Sequence, residues 1–293
     1  MVHDQSLGSR VFNIFNYLFL FLFSMICFLP FVHIVAGSFA SVEEVLQKRF
    51  ILFPTTFSLD AYRYIFSTDI IFRSLIISIL VTVVGTGFSM FLTSLMAYGL
   101  SRKDLDGRRV LMFLVVFTML FSGGMIPTFL VVRSLGLLDT YWALIIPTAI
   151  NAFNLIILKN FFQNIPESLE ESAKIDGCND VGIFFRIVFP LSMPAIATIS
   201  LFYAVTYWNT FMQAILYLND SSMWPIQVLL RQIVIMSSGM QGDLTELGAG
   251  FVMPPEQTIK MAVIVVATIP VLIVYPFIQK HFAKGALLGS VKG

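Results

Sequence analysis

The chain has 293 residues, 57% of them hydrophobic and only 12% charged, with a mean hydropathy of +0.86. Average soluble domains carry about 25% charged residues, so a soluble protein of this composition has too little polar surface to cover itself, and an integral membrane protein is the class that fits. The formal net charge of +1 gives no basis for binding nucleic acid, and two cysteines in unlike surroundings, Cys27 in an apolar run and Cys178 in a polar one, give no disulfide framework.

A stretch free of Lys, Arg, Asp and Glu runs from Val11 to Val42. Its apolar part, residues 11–36, meets the ~20 residues a span needs and exceeds the ~7–15 of a signal peptide core, so it reads as a retained span. His33 near its end reads as a neutral packed or interfacial side chain. Residues 41–70 form a polar loop, in which 53–66 read as a turn and a short interfacial helix with rings at headgroup depth. Further spans are expected at 74–100, 110–132, 140–160, 191–218 and 260–280. The third contains Ser122-Gly123-Gly124-Met125-Ile126-Pro127, where paired glycines and a proline permit close packing or a break. The loop at 219–259 reads as a surface-lying helix (Trp224–Met236) and a turn-rich piece through Met253-Pro254-Pro255.

The polar loop 161–190 has a helical pattern of its own. Pro166 suits a first turn, Glu167, Glu170 and Glu171 suit the positive end of a helix dipole, and Lys174 the negative end. Gly177 divides the loop, and Asn179 or Asp180 caps a second helix. Val181, Phe184, Phe185 and Val188 recur at i, i+3, i+4 and i+7 and so are expected on one face; Pro190 is expected to interrupt the pattern. The two helices should form a docking knob, with Glu170 and Glu171 available to basic groups of a partner.

The expected architecture is therefore an all-α integral membrane protein, one domain over 1–293, with six transmembrane helices and the knob between spans four and five. Basic residues orient it. With the N-terminus inside, the inner segments hold eleven Lys and Arg against seven outside, and the short loop 101–109 alone holds Arg102, Lys103, Arg108 and Arg109. Both termini and the knob are then cytoplasmic.

No charge sits in the middle of an expected span, whereas ion-coupled carriers place ionisable groups at membrane depth. The chain has no Gly-Lys dipeptide, so it holds no P-loop. His3, His33 and His281 are scattered, and no Cys/His cluster or nucleophile constellation can be assembled, so no catalytic residue and no metal site is expected. The spans instead carry neutral polarity. Asn151 and Asn154 lie in span four. Tyr203, Thr206, Tyr207, Trp208, Asn209 and Gln213 lie in span five. Amides and hydroxyls beside rings suit a hydroxyl-rich solute, and the cluster is expected to line a polar path, although each group alone fits ordinary interhelical bonding.

Glu171-Ser172-Ala173, three residues, Gly177, nine residues, Ile187, one residue, Phe189-Pro190 resembles the Glu-Ala-Ala loop of permeases from ATP-binding-cassette (ABC) importers, departing at Ser172 and Phe189. With Tyr207-Trp208-Asn209, Phe211 and the ending from Tyr275 to Gly293, nearly the whole chain resembles MalG-type permeases of carbohydrate importers in the bacterial cytoplasmic membrane. The ending is most similar to those of oligosaccharide and polysaccharide-fragment systems. The resemblance implies a heterodimer with a second permease, two cytoplasmic ATPase subunits that hold ATP and Mg2+, an extracytoplasmic solute-binding protein, and no cofactor on this chain. It implies that the loop couples to an ATPase through Glu170, Glu171, Ala173, Asp176, Gly177, Phe184, Phe185, Ile187 and Pro190. The alternatives are an ion-coupled secondary transporter and a non-transporting scaffold or sensor subunit.

Overall fold

The computed structural model describes residues 7–67, 69–237 and 257–290. Among them the secondary structure is helical apart from one isolated antiparallel bridge, Ala40 to Phe57. In chain order the helices are α1 (Leu7–Ser38), α2 (Val42–Gln47), α3 (Asp60–Ser67), α4 (Asp69–Ser101), α5 (Arg108–Leu120), α6 (Met125–Ser134), α7 (Trp142–Ile145), α8 (Ala152–Gln163), α9 (Glu167–Ile175), α10 (Asp180–Ile183), α11 (Phe189–Leu191), α12 (Met193–Trp208), α13 (Met212–Tyr217), α14 (Ile226–Ser237) and α15 (Gln257–Ser290). A π-helical turn at Phe184–Val188 joins α10 to α11.

Three stretches are long and apolar enough to cross a membrane as single helices: Gly8–Ser38, Asp69–Ser101 and Gln257–Val274. Three bent pairs also qualify: α5 with α6 at 116°, Trp142–Thr148 with α8 at 55°, and Asp180–Leu191 with α12 at 83°. The third expected span thus breaks at its glycines, where Gly124 has φ +84. The fourth breaks before Asn151, whose side chain caps α8. Pro190 does not interrupt the fifth. It sits near the end of the helical run Asp180–Leu191, which continues through it, and the bend falls two residues later at Ser192.

The helices sort into two compact units, each taken by itself: the residues up to Asp69 with Gln232–Ile269, and Ile70–Arg231 with the residues from Pro270 on. In the first, the expected polar loop is an ordered lobe. Ser41 caps α2, and the Glu44 carboxylate, almost wholly buried, accepts from the backbone N–H groups of Thr55 (2.9 Å) and Thr56 (2.9 Å) and from Lys48 Nζ (2.7 Å). These bonds hold the Glu44 carboxyl well below the usual carboxylate range, Lys48 contributing most. The Ile51 N–H donates to His33 Nδ1 at 3.0 Å and the ring stacks on Phe50, so His33 is a packed side chain, as expected. Ser41-Val42-Glu43-Glu44 has the pattern of a capping box, a signal for α2 that the loop reading passed over.

In the second unit α4 buries a stripe of small and polar side chains: Ser74, Ser78, Gly85, Ser89, Thr93 and Ala97. Such residues let helices approach closely. At Gly85 an added Cβ would meet the Tyr207 ring at 2.9 Å. Residues 238–256, which include the turn-rich piece of the long loop, and 291–293 lie outside the described residues, as do the side chains of Tyr275 and of 277–290.

Candidate functional site

The knob forms as two short helices. Pro166 precedes α9, Glu167 and Glu170 occupy its first turn and Lys174 its last. Gly177 has φ +81. Its N–H donates to Lys174 O (3.0 Å) and the Cys178 N–H to Ala173 O (2.9 Å), the two bonds of a Schellman motif, which requires a left-handed residue at that position. Asn179 then caps α10 through Gly182 N–H at 2.8 Å.

The four apolar residues expected on one face do not share one. Phe184 and Val188 are buried in the core with Ile183, whereas Val181 and Phe185 are exposed. The split runs between two i, i+4 pairs, Val181 with Phe185 outward and Phe184 with Val188 inward, so the buried arc is narrower than the apolar one. Phe184 packs against Tyr98 and Phe162, with ring centroids at 5.1 and 6.3 Å. Ile187 is half-buried and Pro190 exposed. The exposed apolar groups of the knob are Leu169, Ile175, Val181 and Phe185, and Ile175 at its tip is 86% exposed. Sequence reasoning missed Leu169 and Ile175, because an apolar residue among charges carries no periodic signal.

Glu170 is not free for a partner. It pairs with Arg102, at the end of α4. Lys103 pairs with Glu167 (2.6 Å), Lys174 reaches Asp180 (3.5 Å), and Arg102 also lies 3.4 Å from Asp104 and 4.0 Å from Asp180. A polar cavity of about 300 Å³ lies among these groups, lined by Arg102, Lys103, Glu167, Glu170, Glu171 and Lys174. Glu171 and Asp176 stay exposed, and Ala173 is buried. The last carbonyls of α4 are held too: Arg108 Nε donates to Leu100 O (3.0 Å) and Gln163 Nε2 to Ser101 O (3.3 Å). A cation at a helix C-terminus is electrostatically favoured. The knob and the end of α4 are thus one charged assembly.

The polar groups expected to form one path divide into two sets. Tyr203 and Tyr207 are buried within the bundle. The Tyr203 hydroxyl accepts from Asn151 N–H (2.9 Å) and lies 2.7 Å from Thr93 Oγ1; the Tyr207 hydroxyl donates to Ile145 O (3.2 Å) and lies 2.7 Å from Ser89 Oγ. These rings bolt α4 and the broken fourth span to α12. Asn154 and Trp208 are buried as well. Thr206, Asn209 and Gln213 are exposed, as is Asn151. The chain breaks at Asn209–Phe211, between α12 and α13, so Asn209 and Gln213 do not stand on one continuous helix. Near this break lies a residue outside the expected path: Arg231 on α14, whose guanidinium carbon sits 4.2 Å from the Phe211 ring centroid.

Asp139 links two further loops. It accepts from the backbone N–H (2.6 Å) and side-chain N–H (2.8 Å) of Asn219 while its own N–H donates to Tyr217 O (2.9 Å). These bonds hold its carboxyl below the usual range, the Asn219 backbone bond most of all. It is the one non-glycine residue with positive φ (59) among those described, a conformation Asp tolerates.

Comparison with known proteins places this geometry. Residues 90–287 match the family described as binding-protein-dependent transport system inner membrane components. The chain is similar to the polygalacturonan/rhamnogalacturonan transport system permease protein YtcP of Bacillus subtilis (strain 168), 80% identical over 97% of this chain and 99% of that one. It is similar to protein LplC of the same organism, 58% identical over 100% of this chain and 98% of that one. Among solved structures it is similar to a chain from the crystal structure of a bacterial ABC transporter involved in the import of the acidic polysaccharide alginate, with TM-score 0.86, 36% identity, and coverage of 94% of this chain and 98% of that one.

Proposed function

The chain belongs to the binding-protein-dependent transport system inner membrane components, as a permease subunit of an ABC importer for carbohydrate, and we propose that its solute is an acidic oligosaccharide delivered by an extracytoplasmic binding protein. Two named relatives support the acidic class, one a permease for polygalacturonan and rhamnogalacturonan, the other a transporter for alginate. In this reading six spans, three of them bent pairs, form half of the path beside a second permease. Both termini face the cytoplasm, and the knob docks on one of two ATPase subunits that hold ATP and Mg2+.

The observation that carries the coupling assignment is the exposed apolar edge of the knob. Leu169, Ile175, Val181 and Phe185 stand open on an element otherwise held by ion pairs. Apolar side chains on a charged, water-facing loop lose their hydration cost only when a partner covers them. Glu171 adds a free carboxylate to the same element. Pulling down the tagged permease with its ATPase tests this. The double substitution Ile175→Asp and Phe185→Asp should abolish recovery of the ATPase while the second permease still copurifies. Full recovery of the ATPase would place its docking surface elsewhere.

A further inference from the structure

We propose that Arg231, stacked on Phe211, is a carboxylate-binding subsite for the acidic oligosaccharide on its way through the permease. The inference rests on the importer reading above. Basic residues are common in these loops, and three of them already have a carboxylate nearby. Lys48 pairs with Glu44 and Arg63 with Asp60, while Arg73 lies in the field of Asp220. Arg231, like Arg49 and Arg133, has no ion pair with a carboxylate among the described residues, and what sets it apart is the Phe211 ring held against it at 4.2 Å. A ring fixes the cation without neutralising it. A guanidinium stacked on a ring keeps its edge N–H groups free, in the fork that matches a carboxylate bidentately.

The position is built. Arg231 is exposed on α14, whose first turn is sunk in the unit: Ile226 and Val228 are fully buried, and the Ile226 N–H donates to the buried Ser78 Oγ at 2.8 Å. Phe211 stands in the break between α12 and α13, within residues expected to span the membrane. Open backbone at that depth is tolerated where it lines a watery cavity or is buried in protein. Asn209 and Gln213, both exposed, flank Phe211 in the sequence. Asn209 Nδ2 is committed to Val205 O at 2.9 Å, which leaves its side-chain oxygen to accept from a sugar hydroxyl. Ring and amides suit any sugar, and the cation is the group a uronate needs and a neutral sugar does not.

The test uses the complete importer in proteoliposomes, with a labelled galacturonate trimer outside and ATP inside, and reads uptake beside ATP hydrolysis stimulated by the loaded binding protein. Arg231→Met should lower uptake at least about tenfold, the scale of a lost charge-assisted bond, with hydrolysis still stimulated as in the wild type. Arg231→Lys, which keeps the charge and loses the fork and the stacking, should recover only part of the rate, and Phe211→Leu should fall between Arg231→Met and the wild type. Undiminished uptake by Arg231→Met overturns the subsite. So does a loss of stimulated hydrolysis in proportion to uptake, which would give Arg231 to an acidic residue of the docking binding protein. A wild-type importer that carries no trimer removes the acidic-solute reading, and the subsite with it; neutral-sugar uptake by that same importer would leave the permease reading standing.

Discussion

Arg102, at the C-terminal end of α4, is ion-paired to Glu170 on α9, and both side chains are four-fifths buried or more. The pair ties the knob to the helix whose other buried hydroxyls hold Tyr203 and Tyr207. If the knob couples to an ATPase as proposed, this pair is the direct link by which its movement would reach α4.

Charge reversal tests that link. Arg102→Glu sets two carboxylates against each other, at a cost between that of an exposed and a buried pair, on the order of 1–3 kcal/mol. Solute carried per ATP hydrolysed should fall, and the second change Glu170→Arg should restore it. Equal coupling in the single and double variants would show that the pair only decorates the surface.

The buried tyrosines are predicted to act on stability rather than on the solute. Tyr203→Phe removes the acceptor of the Asn151 N–H and the partner of Thr93, leaving buried polar groups unmade at about 1–3 kcal/mol. The purified permease should melt several degrees lower in detergent. Uptake lost with no change in melting would return Tyr203 to the solute path.

Glu44 gives a pH dependence whose sign follows from its lowered carboxyl pKa. The group is ionised in the folded lobe at pH values where the unfolded chain is protonated. Its contribution is thus complete above an ordinary glutamate pKa of about 4.3 and fades as pH falls toward the folded value. Exchange protection of the Thr55 and Thr56 amides, corrected for the intrinsic pH effect, should decline below about pH 4. Glu44→Gln should lower the protection at neutral pH and flatten its decline.

Much of this was legible because it depends on local chemistry. The breakers at Gly123-Gly124 and Gly177, the acidic start of α9 and the cap at Asn179 each act within a few residues, and the structure puts them where the sequence does. What was illegible depends on partners distant in the chain. Whether Tyr203 lines a path or bolts helices is decided by Thr93 and Asn151, more than 50 residues away. Glu170 looks free until Arg102 arrives from α4. Which part of the apolar arc is buried is decided by the packing of Phe184 against Tyr98 and Phe162, so the period alone did not separate Val181 and Phe185 from it. Arg231 and Phe211 meet across 19 intervening positions with no shared pattern to announce them.

Gly177 separates folding from coupling. Its φ of +81 lies where a Cβ is strained, at roughly 1–2 kcal/mol for an ordinary residue, and less for Asp, which tolerates that conformation. An added Cβ would meet nothing within 4 Å. Gly177→Asp therefore has room in the isolated permease and should shift its melting temperature by only a few degrees. In the importer the same side chain points from an element proposed to sit against an ATPase, and it adds a buried charge beside Glu171 and Asp176. Uptake should stop while the permease pair still assembles, and Gly177→Ala, with the strain but without the charge, should keep part of the rate. Normal transport by Gly177→Asp would remove the knob from the coupling path, and an equal loss with alanine would assign the defect to backbone geometry instead of to the docked surface.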